Sequence, residues 1–179
     1  MNRRLFTSVL FACLLPFMVQ AQQAVFRFAQ LTDIHLSPNN PNPTEDLLRS
    51  IAQINATDSI DFVLVTGDIA EEGDRTTMEK VKSCLDLLKV KYYVALGNHE
   101  TKWSDSGCTA FGEIFGGERF EFEHKGFLFL GFNSGPLMRM AYGHVVPQDI
   151  RWMTETMERY NAGNSPAGQT CNTCYPTIR

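Results

Sequence analysis

The sequence has no excess of basic residues, since 20 aspartates and glutamates outnumber 16 lysines and arginines and give a formal net charge of −4. A chain of that charge, with a pI near 5.5, does not attract nucleic acid or an acidic membrane surface electrostatically. Internal repeats and low-complexity tracts are also absent. With 44% apolar and 20% charged residues, the 179 positions indicate one globular domain, and they exclude a disordered, collagen-like or coiled-coil protein.

Common nucleotide-binding motifs are missing too. The chain has neither a glycine-rich dinucleotide fingerprint nor a phosphate-binding loop that ends in Gly-Lys-Ser/Thr. The His-Glu-x-x-His motif of a zinc protease is excluded as well. His99-Glu100 would begin such a motif, but Trp103 occupies the position of its second histidine. The chemistry of this protein must therefore come from another arrangement of residues.

The N-terminus carries an apolar run from Leu5 to Val19 behind Arg3 and Arg4. Its length of about 15 residues falls short of the roughly 20 that a membrane-spanning helix needs. A secretory signal peptide typically has a charged start, then an apolar stretch, then small residues before the signal-peptidase cleavage site. We expect residues 1–21 to be cleaved, no membrane span to remain, and the protein to be periplasmic or extracellular. Cys13 leaves a lipoprotein form open.

Export would make the cysteines relevant, because disulfides form in oxidising compartments. The four that remain after cleavage permit three full pairings, and the sequence does not choose among them; they are Cys84, Cys108, Cys171 and Cys174. Cys84 lies beside a helical stripe that includes Val81 and Leu85. We therefore expect Cys84 to be buried as a small apolar side chain.

From Gln22 onward, apolar strand-like runs alternate with segments of helical periodicity. The predicted strands cover residues 25–32, 62–66 and 92–96, and the predicted helices begin at Thr44 and at Thr76, where Thr76-x-x-Glu79 resembles a capping box. This β-α-β-α-β order predicts a parallel sheet with right-handed crossovers. A hairpin over 119–123 and 127–132 follows, with His124 solvated in its turn, and then a helix over 148–160 that begins after Pro147.

Polar residues stand directly after each of the three parallel strands. They read Thr32-Asp33-Ile34-His35, Thr66-Gly67-Asp68 and Gly97-Asn98-His99-Glu100. Ligands of a parallel α/β sheet bind outside the carboxyl ends of its strands, so the three motifs should meet in one crevice. The i, i+2 spacing of Asp33 and His35 places both side chains on one side of an extended segment. Carboxylates, imidazoles and an amide together suit Mn, Fe or Zn.

This ordered set resembles the calcineurin-like metallophosphoesterase family over residues 26–160. The resemblance implies a four-layer α/β sandwich that holds two divalent metal ions, Mn, Fe or Zn, and hydrolyses phosphomonoesters or phosphodiesters with a metal-bound hydroxide. By that resemblance, Asp33 and His35 bind the first ion, Asp68 bridges both ions, and Asn98 binds the second. His99 would be the catalytic residue, which stabilises the transition state or protonates the leaving oxygen and is oriented by Glu100. The expected substrate is a small-molecule or envelope phosphoester, with no nucleic-acid partner.

The family pattern also contains later histidine ligands, whereas this sequence has no histidine after His144. Residues 161–179 offer no apolar run for a further strand, so we expect an incomplete domain over 22–160, with its C-terminal half missing, and an aberrant, poorly ordered tail. Two hypotheses stay open. One is an exported metal-dependent phosphoesterase; the other is a truncated or frame-shifted, non-catalytic remnant with residual metal or phosphate binding.

Overall fold

The computed structural model describes residues 25–104, 106–135, 142–163 and 169–170. The predicted signal peptide, Cys171 and Cys174 therefore lie outside the described residues. Within those residues, no helix combines the length and the apolar character needed to cross a membrane. Cys84 and Cys108 are both buried as free thiols, which confirms the burial expected for Cys84.

Three parallel strands form the first sheet, in the order β1-β2-β3. They are β1 (Phe28–Leu31), β2 (Phe62–Thr66) and β3 (Lys91–Ala95), connected by helices α1 (Asn42–Ala56) and α2 (Arg75–Leu85). The predicted β-α-β-α-β order is confirmed. β2 pairs on both sides and is buried along nearly its whole length, which explains its continuous apolar sequence.

Helix α2 begins earlier than the proposed capping box. Its N-cap is Asp74, whose side chain accepts a hydrogen bond from the Thr77 backbone N–H at 2.9 Å. Aspartate is among the strongest N-cap residues because its carboxylate reaches an otherwise unpaired amide of the first turn. The prediction of a Thr76-x-x-Glu79 box is therefore wrong by two residues at the cap, although the helix itself is confirmed.

The helices cover one face of the first sheet. Leu47 and Ile51 of α1, and Met78 and Val81 of α2, pack into the core that this face provides. Two further elements follow β3 that the sequence did not predict: a π-helical turn (His99–Trp103) and α3 (Thr109–Phe115). Phe111 of α3 is fully buried in the same core.

A second sheet covers the opposite face. It contains the antiparallel hairpin β4 (Phe120–His124) and β5 (Phe127–Gly131), and a short strand β6 (Gln169–Thr170) that runs parallel to β5. The Phe62 ring lies between the sheets, 5.1 Å from the ring centroids of both Phe122 and Phe129. The side chains of Phe62 and Phe129 are only 2% and 3% exposed, so this aromatic layer forms a second core.

Helix α4 (Pro147–Gly163) lies on the outer face of the second sheet. Glu121 of β4 accepts hydrogen bonds there from Thr156 at 3.0 Å and from Arg159 at 2.8 Å. The described residues thus form four layers, helix, sheet, sheet and helix, which confirms the predicted sandwich. α4 continues past Tyr160, and β6 falls in the segment for which no strand was expected. The rest of the predicted disordered tail, residues 164–168 and 171–179, lies outside the described residues.

Asp61 joins the N-terminal edge of the parallel sheet to the turn between β4 and β5. Its carboxylate accepts hydrogen bonds from the Arg27 backbone N–H at 2.9 Å and from Lys125 Nζ at 2.9 Å. These two donors lower the pKa of Asp61 from 3.8 to about 2. His124 lies in the same cluster, with Nε2 3.2 Å from the Asp61 carboxylate and its ring edge-on to Phe26. The prediction that His124 is solvated is therefore wrong, because β4 extends to it and turns its ring toward the inter-sheet face.

Stability at acid pH should depend on Asp61. Because the folded-state pKa of about 2 lies below the ordinary value, the unfolded chain binds the proton first as pH falls. The contribution of Asp61 is fully present above about pH 4 and is lost as pH falls toward 2. Urea titrations from pH 5 to 2 should therefore show a shallower decline of unfolding free energy in Asp61→Asn than in the wild type. Asp58→Asn, which removes an exposed carboxylate nearby, is the control, and parallel slopes in all three proteins would contradict this role.

Candidate metal centre

The loops that follow β1 and β2 stay paired beyond the ends of their strands. The Asp33 backbone N–H donates to the Gly67 carbonyl at 3.2 Å, and the His35 N–H donates to the Asp68 carbonyl at 2.9 Å. Leu36 continues this parallel pairing, with its N–H donating to Ile69 at 3.0 Å. The pairing brings the first two predicted motifs to one edge of the sheet, as expected.

The backbone is not extended at the predicted ligands. Asp33, His35 and Asp68 have φ values of 53°, 48° and 51°, in the left-handed region that non-glycine residues rarely adopt. Our expectation of an extended Asp33–His35 segment is therefore wrong. The two side chains nevertheless meet, with His35 Nε2 3.8 Å from Asp33 Oδ1. Such strain costs on the order of 1–3 kcal/mol per residue and persists where surrounding structure imposes it, characteristically at functional sites.

Asp33, His35 and Asp68 lie close enough together to form a candidate metal site. One ligand atom from each lies within 4.8 Å of the other two. Two atoms bound to the same ion, each at about 2.0–2.2 Å, can be separated by up to roughly 4.4 Å. The 3.8 Å between Asp33 and His35 satisfies this limit. Two carboxylates and an imidazole are ligands that Mn, Fe and Zn accept, so these residues fit a divalent ion.

Glu71 contacts both histidines of the site, and the sequence did not single it out as a site residue. Its carboxylate Oε2 accepts a hydrogen bond from His35 Nδ1 at 2.8 Å. Its backbone carbonyl accepts one from His99 Nδ1 at 2.5 Å. The signal available in the sequence was only its position three residues after Asp68.

His99 begins the π-helical turn after β3, and Asn98 is the N-cap residue before it. The His99 backbone N–H donates to Asp68 Oδ1 at 3.1 Å, and the His99 and His35 rings meet edge to face with centroids 4.6 Å apart. His35, Glu71 and His99 form a second group of ligand atoms within 4.8 Å of one another. Asn98 precedes His99 and is half-buried. The third motif thus joins the first two, while the individual roles proposed for Asn98 and His99 stay predictions.

Glu100 does something different from what we expected. Its side chain is fully buried, and its two carboxylate oxygens accept hydrogen bonds from four backbone amides at 2.8–3.1 Å; the donors are Asp68, Ile69, Ala70 and Gly97. The expectation that Glu100 orients the His99 imidazole is wrong, because the partner of His99 Nδ1 is the Glu71 carbonyl. Burial raises the pKa of the Glu100 carboxyl, and the amide hydrogen bonds oppose that rise.

Gly97 lets the third motif approach the second. A Cβ at Gly97 would lie 2.1 Å from Asp68 Oδ1 and 2.2 Å from the Asp68 nitrogen. Gly67 stands opposite, where a Cβ would lie 2.6 Å from the Gly97 Cα. The two glycines therefore allow close backbone packing between the second and third motifs, and Gly67 also adopts a φ of 89° that favours glycine.

The layered sandwich, with carboxylates and imidazoles at the carboxyl edge of its parallel sheet, defines an α/β protein with a candidate metal site where such sheets bind ligands. The family model of the calcineurin-like phosphoesterases matches residues 26–163, and the chain belongs to that family. The resemblance stated from the three motifs is thereby confirmed.

The relatives found by comparison include named phosphodiesterases. The chain is 23% identical over 137 residues to a 3′,5′-cyclic-nucleotide phosphodiesterase of Nostoc, covering 73% of this chain and 50% of that protein. It is 32% identical over 82 residues to a probable cyclic nucleotide phosphodiesterase of Rhodopseudomonas palustris, covering 42% and 30%. An uncharacterized protein of Bacillus subtilis, YvnB, is 25% identical over 118 residues, which are 57% of this chain and 9% of YvnB. The chain thus spans half or less of the length of these relatives.

A solved structure shares the fold. It is a dimetal phosphatase from Danio rerio, with a TM-score of 0.55 and 14% sequence identity. The match covers 82% of this chain and 68% of that one. At that identity the likeness supports the fold alone.

Replacing Gly97 by alanine should displace Asp68. The new methyl group would overlap the Asp68 carboxylate, and overpacking of this kind costs about 1–3 kcal/mol. We expect Gly97→Ala to lose both unfolding free energy and Mn²⁺ affinity, measured by urea titration and by calorimetry. Gly112→Ala is the matched control, because a Cβ there meets nothing closer than 4.0 Å. Equal Mn²⁺ affinity in the two variants would contradict the close-packing argument.

Replacing Glu100 by glutamine should destabilise the same edge. An amide nitrogen cannot accept a hydrogen bond, so the amides that face it lose their acceptor, at about 1–3 kcal/mol for each buried group. Urea denaturation should show a clear loss for Glu100→Gln and none for Glu72→Gln, whose carboxylate is exposed. Unchanged stability in Glu100→Gln would show that the carboxylate does not organise these loops.

Proposed function

We propose that this domain binds two divalent metal ions and hydrolyses phosphoesters, with phosphodiesters as the substrate class. The observation that carries the proposal is the convergence of Asp33, His35 and Asp68 within 4.8 Å at the edge of the parallel sheet. Membership of the calcineurin-like phosphoesterase family supports the reaction type. The relatives named as cyclic nucleotide phosphodiesterases support diesters over monoesters.

The residues of the site divide the work between them. Asp33 and His35 would hold one ion, Asp68 would be shared by both, and Asn98 would hold the second. Two ions bound there would supply an activated water and positive charge for the phosphoryl oxygens. The family's further ligands have no histidine counterpart after His144 in this sequence, so the metal sets proposed here are those of the described residues.

His99 would donate a proton to the leaving oxygen. Its Nδ1 donates to the Glu71 carbonyl, which fixes the ring and assigns proton transfer to Nε2. Histidine suits this role because it gains and loses a proton near neutral pH. Asp68, the proposed bridging ligand, accepts a hydrogen bond from the His99 backbone N–H at 3.1 Å. This bond keeps the His99 imidazole next to Asp68.

We also propose that the protein acts outside the cytoplasm, on a small-molecule or envelope phosphoester. The support is the charged, apolar and small-residue pattern of residues 1–21, which is typical of a secretory signal. Sequencing the N-terminus of the protein recovered from its native host would test this proposal, and an intact Met1 would contradict it.

The roles of Asp68 and His99 can be separated by metal content. We expect Asp68→Asn to lose bound Mn²⁺ and His99→Ala to keep it, because only Asp68 is a proposed ligand. Hydrolysis of bis-p-nitrophenyl phosphate should fall in both variants, by about 10²–10⁴-fold for loss of the proton donor. Equal metal loss in both would contradict the assignment. Bound metal without turnover in the wild-type chain would favour a non-catalytic, metal-binding domain instead.

A further inference from the structure

We propose that Glu71 is a positioning residue that holds both histidines of the metal centre, His35 through its carboxylate and His99 through its backbone carbonyl. The inference rests on the proposed function in one respect, namely that the cluster binds a divalent ion. Glu71 lies outside the ligand set carried over from the three strand-end motifs.

The backbone of Glu71 is held by a hydrogen bond that does not involve its side chain. Its N–H donates to the Leu36 carbonyl at 2.9 Å, directly after the His35 motif. The loops after β1 and β2 are therefore joined at Glu71 as well as at Asp33 and His35. From this anchored position the carboxylate reaches His35 Nδ1 at 2.8 Å, and the carbonyl reaches His99 Nδ1 at 2.5 Å.

These contacts set the tautomer of both rings. A carboxylate and a carbonyl oxygen only accept, so Nδ1 of each histidine carries the proton and Nε2 keeps its lone pair in the neutral ring. In His35 this leaves Nε2 as the ligand atom, and Nε2 is the nitrogen that lies 3.8 Å from Asp33 Oδ1. A carboxylate that orients a ligand imidazole in this way raises its affinity for the metal.

The two rings also restrain each other. They are nearly perpendicular, at 89°, with centroids 4.6 Å apart. The edge-to-face contact therefore restrains His35 against His99, whose Nδ1 is hydrogen-bonded to the Glu71 carbonyl. One residue thus couples the orientation of the metal ligand to that of the proposed proton donor.

A direct metal contact is the competing role for Glu71, since its carboxylate also falls in the group with His35 and His99. The hydrogen bond at 2.8 Å favours positioning, because it occupies His35 Nδ1, whereas Nε2 is the nitrogen that lies 3.8 Å from Asp33. The two roles differ in their demand for charge. An amide oxygen can replace a carboxylate as acceptor for Nδ1–H, whereas a neutral amide is a much poorer metal ligand.

The test compares Glu71→Gln and Glu71→Ala with Glu72→Gln in the full chain. Glu72 is the neighbouring exposed carboxylate, with no hydrogen bond or ion pair within the described part of the chain, and it controls for loss of charge. We expect Glu71→Ala to weaken Mn²⁺ binding by about 10–100-fold in calorimetry, Glu71→Gln by less than about tenfold, and Glu72→Gln not at all.

A second readout is independent of metal and activity. Nitrogen chemical shifts of His35 in the metal-free protein above pH 8, where imidazoles are neutral, report which ring nitrogen carries the proton. We expect Nδ1–H in the wild type, Glu71→Gln and Glu72→Gln, and a shift toward Nε2–H in Glu71→Ala. The His99 signal should keep Nδ1–H in every variant, because the carbonyl at position 71 remains.

Asp33→Asn separates the failure of this inference from failure of the proposed function. If neither the wild type nor Asp33→Asn binds Mn²⁺ measurably, the proposed function fails, while the tautomer result still decides the role of Glu71. If Asp33→Asn loses Mn²⁺ but Glu71→Ala keeps wild-type affinity and tautomer, only the positioning role is overturned. A loss in Glu71→Gln as large as in Asp33→Asn would make Glu71 a direct ligand and would also overturn it.

Discussion

The buried carboxylate of Glu100 is the interaction on which the rest of the site depends. A charged side chain without solvent contact is very costly unless its lone pairs are satisfied. Glu100 satisfies them with backbone N–H groups from the loop after β2 and from the loop after β3. Those amides lie past the ends of their strands and would otherwise lack an acceptor. The carboxylate therefore supplies the acceptors that the loop amides lack, and the amides supply the donors that its burial requires. Together these hydrogen bonds fix the separation of Asp68 and His99.

This arrangement explains how strained backbone survives at the proposed ligands. Asp33, His35 and Asp68 all adopt left-handed φ values, which an isolated loop would relax. Hydrogen bonds between the first two loops hold Asp33 and His35, and the Glu100 carboxylate holds the Asp68 amide. The close contact between Gly67 and Gly97 removes the space into which the loops could relax. The placement of the proposed ligands therefore depends on main-chain contacts between the loops and on the Glu100 carboxylate.

The sequence predicted the elements whose signals are local. β2 coincides with its predicted range of 62–66, because a central strand with both faces covered is apolar throughout. The convergence of the three motifs also follows from strand order alone. α3 escaped prediction because it has only seven residues and contains Gly112. The N-cap of α2 was misplaced since Asp74 and Thr76 both offer capping side chains, and only the structure shows which one meets an amide.

The functions of Glu100 and Glu71 could not be read from the sequence, for a shared physical reason. Each acts on groups roughly 30 residues away along the chain, through the geometry of loops rather than through periodicity. Glu100 follows His99 directly, and adjacency suggested a contact that the π-helical turn does not make. Glu71 carries no motif of its own on the loop after β2. Proximity in sequence was therefore a poor guide to partners at this edge, where main-chain turns decide direction.

The two contacts of Glu71 differ in how they depend on its identity. The bond to His99 uses the main-chain carbonyl, which every amino acid provides, whereas the bond to His35 uses the carboxylate. We therefore expect a change of side chain at this position to affect the orientation of His35, the proposed metal ligand, while the proposed proton donor keeps its anchor. The proposed metal binding and the proposed proton transfer should thus be separable at this position, although the His35 and His99 rings are in contact. The two effects are separable because the loop backbone is held independently of the Glu71 side chain. The Glu71 N–H donates a hydrogen bond to the Leu36 carbonyl, and the Ala70 N–H donates one to the Glu100 carboxylate.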